Sequence, residues 1–311
     1  MVLLTTISTI RGVFGGAGRA LMGDAAVVAA VLRLVPSKPQ IRLVYLGTAT
    51  YDLAEFREAQ TAAYADTGVH VESLDCACSV PPADAVERAL DAADVVMVSG
   101  GNTLFALGRW ERAGVLAPLR RAMERGAVMC GGSAGAICWF DGGHSDSFDP
   151  DTFRGPMLAC AVDGGAEASG GADGGEKKPW EYIRVSGLGW LPGLVCPHHD
   201  RTQSNGVPRA TDFDAMLARH AGETGVCIDH FAALIVDGGR YRVLAIDGKE
   251  GSSPAGVPTV WTKRVVDGAV VATEAAAEGA LSELLRAATH IEVDAREATA
   301  RAANPPDDLS T

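Results

Sequence analysis

Residues 127–136 read Ala-Val-Met-Cys-Gly-Gly-Ser-Ala-Gly-Ala, an apolar run that stops on a Gly-x-Ser-x-Gly turn and passes straight into a segment able to form a helix. No residues remain for a loop, so a strand must become a helix at the serine itself. A residue at the apex of so sharp a turn takes a strained backbone conformation, with its hydroxyl projecting above the sheet edge. A β-carbon at Gly131 or Gly135 would collide with the neighbouring strand or helix. The turn is read as a nucleophile elbow with Ser133 at its tip and backbone N–H groups aimed at whatever the serine attacks. An ordinary βα turn or an anion-binding loop has the same composition, because helix N-termini attract anions whether or not chemistry follows.

The surroundings of the turn decide the fold class. Ile41–Gly47, Val69–Leu74, Val95–Val98 and Ala127–Cys130 read as strands, and they alternate with helical segments at Ala54–Thr67, Ala83–Ala92, Thr103–Ala113 and Leu116–Arg125. That alternation predicts an α/β fold with a mostly parallel central sheet and helices on both faces, whose function lies at the carboxyl ends of the strands. Further on, Leu188–Cys196 is an apolar run and Ala210–His220 a helix, followed by strands at Val226–Ile228, Ala233–Val236 and Tyr241–Ile246. Gly238-Gly239 and Asp267-Gly268 mark added β-hairpins toward the C-terminus, and a last helix is expected over 278–290. Residues 1–290 thus read as one domain, interrupted at about 163–178 by a Gly-rich insertion too poor in apolar residues to build a core, and 291–311 as a polar tail.

Composition removes several function classes. No apolar stretch reaches the length of a membrane span and no secretory signal is visible, so a cytoplasmic protein without membrane partners is expected. A net charge of −12 and the lack of a basic patch argue against nucleic acid. The seven cysteines, Cys76, Cys78, Cys130, Cys138, Cys160, Cys196 and Cys227, are odd in number and lie partly within apolar runs, which suits reduced buried thiols. Cys76 and Cys78 are too close for a zinc pair, so neither a metal nor any other cofactor is expected.

Three segments belong chemically with Ser133. Gly100-Gly101-Asn102-Thr103 follows an apolar strand and opens a helix, where its backbone N–H groups suit an oxyanion hole and Asn102 or Thr103 suits an N-cap. Cys196-Pro197-His198-His199-Asp200 ends another apolar run; a serine hydroxyl needs a nearby imidazole to take its proton, and His198 is the candidate base. Cys227-Ile228-Asp229-His230 ends a strand, where Asp229 is a candidate for orienting that imidazole.

Taken in order, Gly100–Thr103, Gly131–Ala136, Gly187–Gly193 and Pro197-His198 resemble the aspartyl dipeptidase (peptidase E) family of serine peptidases, whose relatives include cyanophycinases. The resemblance spans roughly residues 40–246. It implies a class I glutamine-amidotransferase-like fold with serine in place of cysteine, Ser133 as nucleophile, His198 as base, and an oxyanion hole from the backbone of Gly101 and Ala134. Where the family has an acid as the second residue after the strand Val226–Ile228, this chain has Asp229 and then His230. Successive strand residues face opposite sides, so Asp229 serves only if the strand end bends; otherwise Asp200 supports the base, or a Ser–His pair works alone. The expected function is hydrolysis of short peptides through an acyl-enzyme, with Asp-X dipeptides the implied substrate, Asn102, Arg201 and Arg209 the candidate substrate contacts, and a homodimer allowed. The alternatives are a cyanophycinase-like β-aspartyl peptide hydrolase and a catalytically silent ligand-binding homologue. Amidotransferase chemistry is disfavoured, since Cys130 sits inside the strand and serine occupies the turn.

Overall fold

A strand covered on both faces has no solvent side and reads apolar throughout. Val95–Val98, β4, is such a strand: Val95 and Met97 enter one core cluster while Val96 and Val98 enter another, as the two-residue alternation of a strand requires. The computed structural model in which this is seen describes residues 10–152 and 179–293. The Gly-rich insertion expected at about 163–178 lies outside the described residues, as does the polar tail from residue 294 onward.

Around β4, the strands β1 (Arg11–Gly15), β2 (Arg42–Leu46), β3 (His70–Ser73) and β5 (Val128–Gly132) run parallel in the order β1-β5-β4-β2-β3. Helices α1 (Ala25–Leu34) and α2 (Ala54–Ala65) cover one face through Val27, Val31 and Tyr64. On the other face α3 (Ala83–Ala92), α4 (Thr103–Arg112) and α5 (Leu116–Glu124) bury Leu90, Trp110 and Leu119. Beyond β1 the sheet continues antiparallel through β10 (Ala232–Asp237), β11 (Arg240–Ala245) and β14 (Glu278–Ala280), making eight strands.

A second sheet of six strands has the order β13-β12-β9-β8-β6-β7. In it β6 (Phe140–Ser145), β8 (Leu191–Pro197) and β9 (Gly225–Ile228) are parallel, while β7 (Ile183–Ser186), β12 (Val260–Val266) and β13 (Ala269–Glu274) pair antiparallel. Helix α7 (Arg209–Arg219) packs Phe213, Met216 and Leu217 on Leu194, Cys196 and Cys227. The buried turn α6 (Ala134–Ile137) touches β1, β4 and β5 of the first sheet and β6 and β8 of the second. Val98, Ile137, Val195 and Ile228 share one core cluster, so apolar packing is continuous from sheet to sheet.

The two expected hairpins form, with φ of 55° and 85° at Gly238 and Gly239 and of 51° and 79° at Asp267 and Gly268, the left-handed pairs that match strand twist. Four features differ from the sequence reading. β1 and α1 precede Ile41, where the alternation read from sequence starts. The parallel strands share their sheet with antiparallel neighbours, and a second sheet adjoins theirs through α6. The expected helix over 278–290 is instead β14 followed by one helical turn, α8 (Leu281–Leu284), because residues 278–280 pair with β11 while Leu281, Leu284 and Leu285 turn into the core. Finally, Cys76, Cys130, Cys138, Cys196 and Cys227 are free and buried, whereas Cys78 is disulfide-bonded, so the cysteines are not all reduced. Among the described residues no helix is long and apolar enough to cross a membrane.

Candidate active site

The carboxyl ends of β1, β4 and β5 in one sheet and of β8 and β9 in the other converge on Gly16, Gly100, Ser133, His198 and the Asp229-His230 pair. Ser133 follows β5 without a loop and has φ 57° and ψ −119°, a conformation that costs a non-glycine residue roughly 1–3 kcal/mol. Neighbouring backbone holds it there. Its N–H donates to the Gly15 carbonyl at 3.1 Å, and its carbonyl accepts from Ala136 and Ile137 at 2.9 and 3.0 Å. A β-carbon at either Gly131 or Gly135 would strike the Val98 carbonyl oxygen of the adjacent strand, so both flanking glycines are required by close approach. The Ser133 side chain is 7% exposed, and its hydroxyl makes no hydrogen bond among the described residues.

His198, directly after β8, also has a positive φ, 51°. Its N–H donates to the Gly16 carbonyl at 3.2 Å. Ser133 and His198, from different sheets, therefore hang from consecutive carbonyls at the end of β1. Gly16 permits this because a β-carbon there would collide with the Asp229 carbonyl. The Gly15-Gly16-Ala17-Gly18 segment is absent from the sequence reading. Its signal is an apolar strand, Val13-Phe14, running into glycines, the same signature as at residues 98–101 and 130–132.

The side chain of His198 meets His230, with the two Nδ1 atoms 2.7 Å apart and the ring centroids 4.8 Å apart. Burial, then the positive charge of Arg209, the neighbouring His230 and Arg201 push the His198 imidazolium well below its ordinary pKa. Burial and Arg201 lower His230 as well, with Asp200 opposing. Both rings are thereby biased toward the neutral form. The His230 N–H donates to Asp200 Oδ1 at 2.7 Å, and its ring stands edge-on to Phe231 at 4.5 Å.

Asp229 does not reach His198. It lies on the other side of the strand end, 3.4 Å from His199 Nδ1, and accepts from the Ser252 N–H at 2.7 Å, the Ser252 hydroxyl and the Thr259 N–H. Burial raises its pKa, but the hydrogen bonds from His199, Ser252 and Thr259 outweigh this and hold the carboxyl below the usual range. The strand ends in a tight turn, in which the Ala232 N–H donates to the Asp229 carbonyl at 2.9 Å, and this turn carries His230 to the His198 ring while Asp229 stays beside His199. Asp200 faces the backbone of His230 and the Arg201 guanidinium, not the His198 ring.

The remaining expected residues divide. Gly101, with φ 113°, sits where its β-carbon would strike the Ala49 carbonyl, and Gly100 packs against the Ser133 β-carbon. Neither the Gly101 N–H nor the Ala134 N–H donates to an acceptor among the described residues, which leaves both available. Asn102, in contrast, is fully buried: it caps α4 through Phe105 at 3.0 Å and donates to the Ser147 carbonyl and the Thr152 hydroxyl. Arg209 is likewise enclosed, over the Tyr182 ring and bonded to Asp146, Gln203 and the His144 carbonyl. These two side chains are taken up by the protein, contrary to the expected substrate contacts. Arg201 is 40% exposed and lies over Phe231. Among the described residues no group of three His, Cys, Asp or Glu side chains is placed to hold a metal ion.

The family described as peptidase family S51 matches residues 21–244. A protein of Trypanosoma brucei brucei named G2/mitotic-specific cyclin-1 is 31% identical, over 92% of this chain and 90% of its own length; that name belongs to that protein alone. The uncharacterized peptidase YgaJ of Bacillus subtilis is 28% identical over 60% of this chain and 66% of YgaJ, so the chain spans just under two thirds of that relative. A peptidase from an acI-B1 actinobacterium, known from its crystal structure, shares the fold with a TM-score of 0.53 at 11% identity, over 88% of this chain and 98% of that one.

Proposed function

The chain belongs to peptidase family S51, the family of the peptidase E proteins, and is a serine peptidase; from that premise we propose that it hydrolyses short peptides through Ser133 and His198 by way of an acyl-enzyme. The observation that supports the reading is that the backbone N–H groups of Ser133 and His198 are held by the successive carbonyls of Gly15 and Gly16, with both residues at positive φ and the Ser133 hydroxyl unengaged among the described residues. Ser133 Oγ attacks the scissile carbonyl as His198 takes its proton. The N–H groups of Gly101 and Ala134 receive the negative oxygen, a role worth about 3–4 kcal/mol per donor where one has been removed. His198 then protonates the leaving amine, and water releases the acyl group. In this reading the turn at Ser133 is a nucleophile elbow in a class I glutamine-amidotransferase-like arrangement, and Asp-X dipeptides are the first substrates to try.

One observation favours a second reading, a ligand-binding homologue without turnover: among the described residues no carboxylate reaches the His198 ring. The two part on a single experiment. Intact-mass spectrometry after treatment with a fluorophosphonate should show one adduct on the wild type and none on Ser133→Ala. A folded wild type without an adduct would reject the hydrolytic reading, and a dipeptide screen follows only if the adduct forms.

A further inference from the structure

A base that accepts a serine proton at one ring nitrogen must carry its own proton on the other, and something must hold that proton in place. Around His198 that place is filled by an imidazole. At 2.7 Å between Nδ1 atoms, two lone pairs or two N–H groups would repel, so one nitrogen donates and the other accepts. Neither ring makes any other side-chain hydrogen bond among the described residues. His230 is itself fixed, by its N–H on Asp200 at 2.7 Å and by Phe231 against its ring. The carboxylates nearby are committed elsewhere, Asp229 to His199, Ser252 and Thr259, and Asp200 to the His230 backbone and Arg201.

We propose that His230 is a positioning residue for the base: its unprotonated Nδ1 accepts the Nδ1–H of His198 and so fixes His198 in the tautomer whose Nε2 lone pair is free for the Ser133 hydroxyl. The proposal rests on the hydrolytic reading above. In the attack, the Ser133 Oγ–C bond forms, the carbonyl electron pair moves to oxygen, and the serine proton passes to His198 Nε2. His198 is then an imidazolium whose Nδ1–H still points at a neutral His230. When the C–N bond breaks, the Nε2 proton leaves with the amine. His230 holds orientation and tautomer, without the negative charge a carboxylate would add.

This arrangement has a characteristic pH response. The charged groups facing the pair are Asp200 and Arg201 from the turn after β8, Arg209 from the start of α7, and Lys249, which shares the Phe231 ring with Arg201. A proton taken up by the free enzyme either occupies the base or places two N–H groups face to face, and both stop the reaction. Burial and the arginines depress both imidazoles, so reactivity persists as pH falls to 6.5 and is lost only below it.

The test combines the pH dependence of fluorophosphonate labelling with nitrogen-15 NMR of the histidine rings, in wild type, His230→Phe and His230→Glu. We expect His198 to be protonated at Nδ1 and bare at Nε2 at pH 7.5, and the acidic limb of labelling to lie below pH 6.5. His230→Phe should label at least about tenfold more slowly, with the ~10⁴-fold cost of a base held in the wrong tautomer as the ceiling. His230→Glu should restore labelling and move the acidic limb upward, since a carboxylate favours the imidazolium. Labelling of His230→Phe at the wild-type rate with an unmoved limb would overturn the proposal, as would a proton on His198 Nε2. A wild type without an adduct at any pH, but with the expected tautomer, would instead reject the hydrolytic reading and leave the pairing standing.

Discussion

Ser133 is legible in the sequence because its constraints are local: glycines two residues away on each side and a strand that ends on it. The pairing of His198 with His230 is not, since the two are 32 positions apart and meet only because β8 and β9 are parallel neighbours with Pro197 level with Ile228. Alternation along a strand predicts that Asp229 and His230 part; what no sequence pattern discloses is the turn at 229–232 and which of the two it brings to His198. Asp52 lies deeper still. It follows Tyr51 with both at φ near 60° (57° and 59°), its Oδ2 accepts from the N–H groups of Cys76 and Ala77, and its Oδ1 is buried without a partner. Burial, aided by Asp75, raises this carboxyl to about 6. A raised carboxylate pKa means that stability is lost as pH climbs from about 4 to 6 and stays lost above. Asp52→Asn keeps an acceptor for both amides and removes the charge. It should be more stable at pH 8 by about 1–2 kcal/mol, allowing for partial exposure. Melting curves should show this gain shrinking through pH 6 and vanishing near pH 4.

At the scale of elements, β2, β4 and β5 of the first sheet are legible because both faces are apolar, as in Val95–Val98, and β9 and the β12–β13 hairpin of the second are legible from an apolar run and a turn signal. Its strands β6 and β7 are not. β6 reads Phe-Asp-Gly-Gly-His-Ser and β7 Ile-Arg-Val-Ser, with polar residues whose partners are remote. Arg184 of β7, fully buried, is paired through two bonds of 2.9 Å with equally buried Glu223, which lies just before β9. Burial of such groups is tolerable only when paired, and the pairing is invisible in a strand read alone. The junction of the two sheets at Gly16 gives an element-level prediction. Gly16→Ala forces β1 away from Asp229 and should cost about 1–3 kcal/mol, the range for overpacking, while slowing fluorophosphonate labelling. The same change at Gly108 in α4, where a β-carbon meets nothing within 4 Å, should stabilise by roughly 0.5–1 kcal/mol. Thermal melts and labelling rates of the two variants measure both; equal behaviour would mean that the approach of β1 to β9 carries no constraint.

For the whole molecule, the depressed imidazoles set an acid-side response opposite in sign to that of Asp52. His198 and His230 remain neutral in the fold below 6.5, where the unfolded chain takes up protons, so stability falls as pH drops from 6.5. With Asp52→Asn removing the opposing contribution, the melting temperature should decline from pH 7 to pH 5, and adding His230→Phe should flatten that decline. An unchanged slope would place the acid sensitivity elsewhere. The common suspension of Ser133 and His198 has a mechanical corollary as well. Their amides hang from the carbonyls of two adjacent peptide planes joined at the Gly16 Cα, so thermal sway of β1 as a whole carries both backbones with it. The spacing of the Ser133 and His198 backbones then follows the dihedrals of Gly16, itself held by its N–H on the Ala232 carbonyl at 2.9 Å, more than the breathing of two sheets, and on warming this protein should keep that spacing until the fold itself gives way.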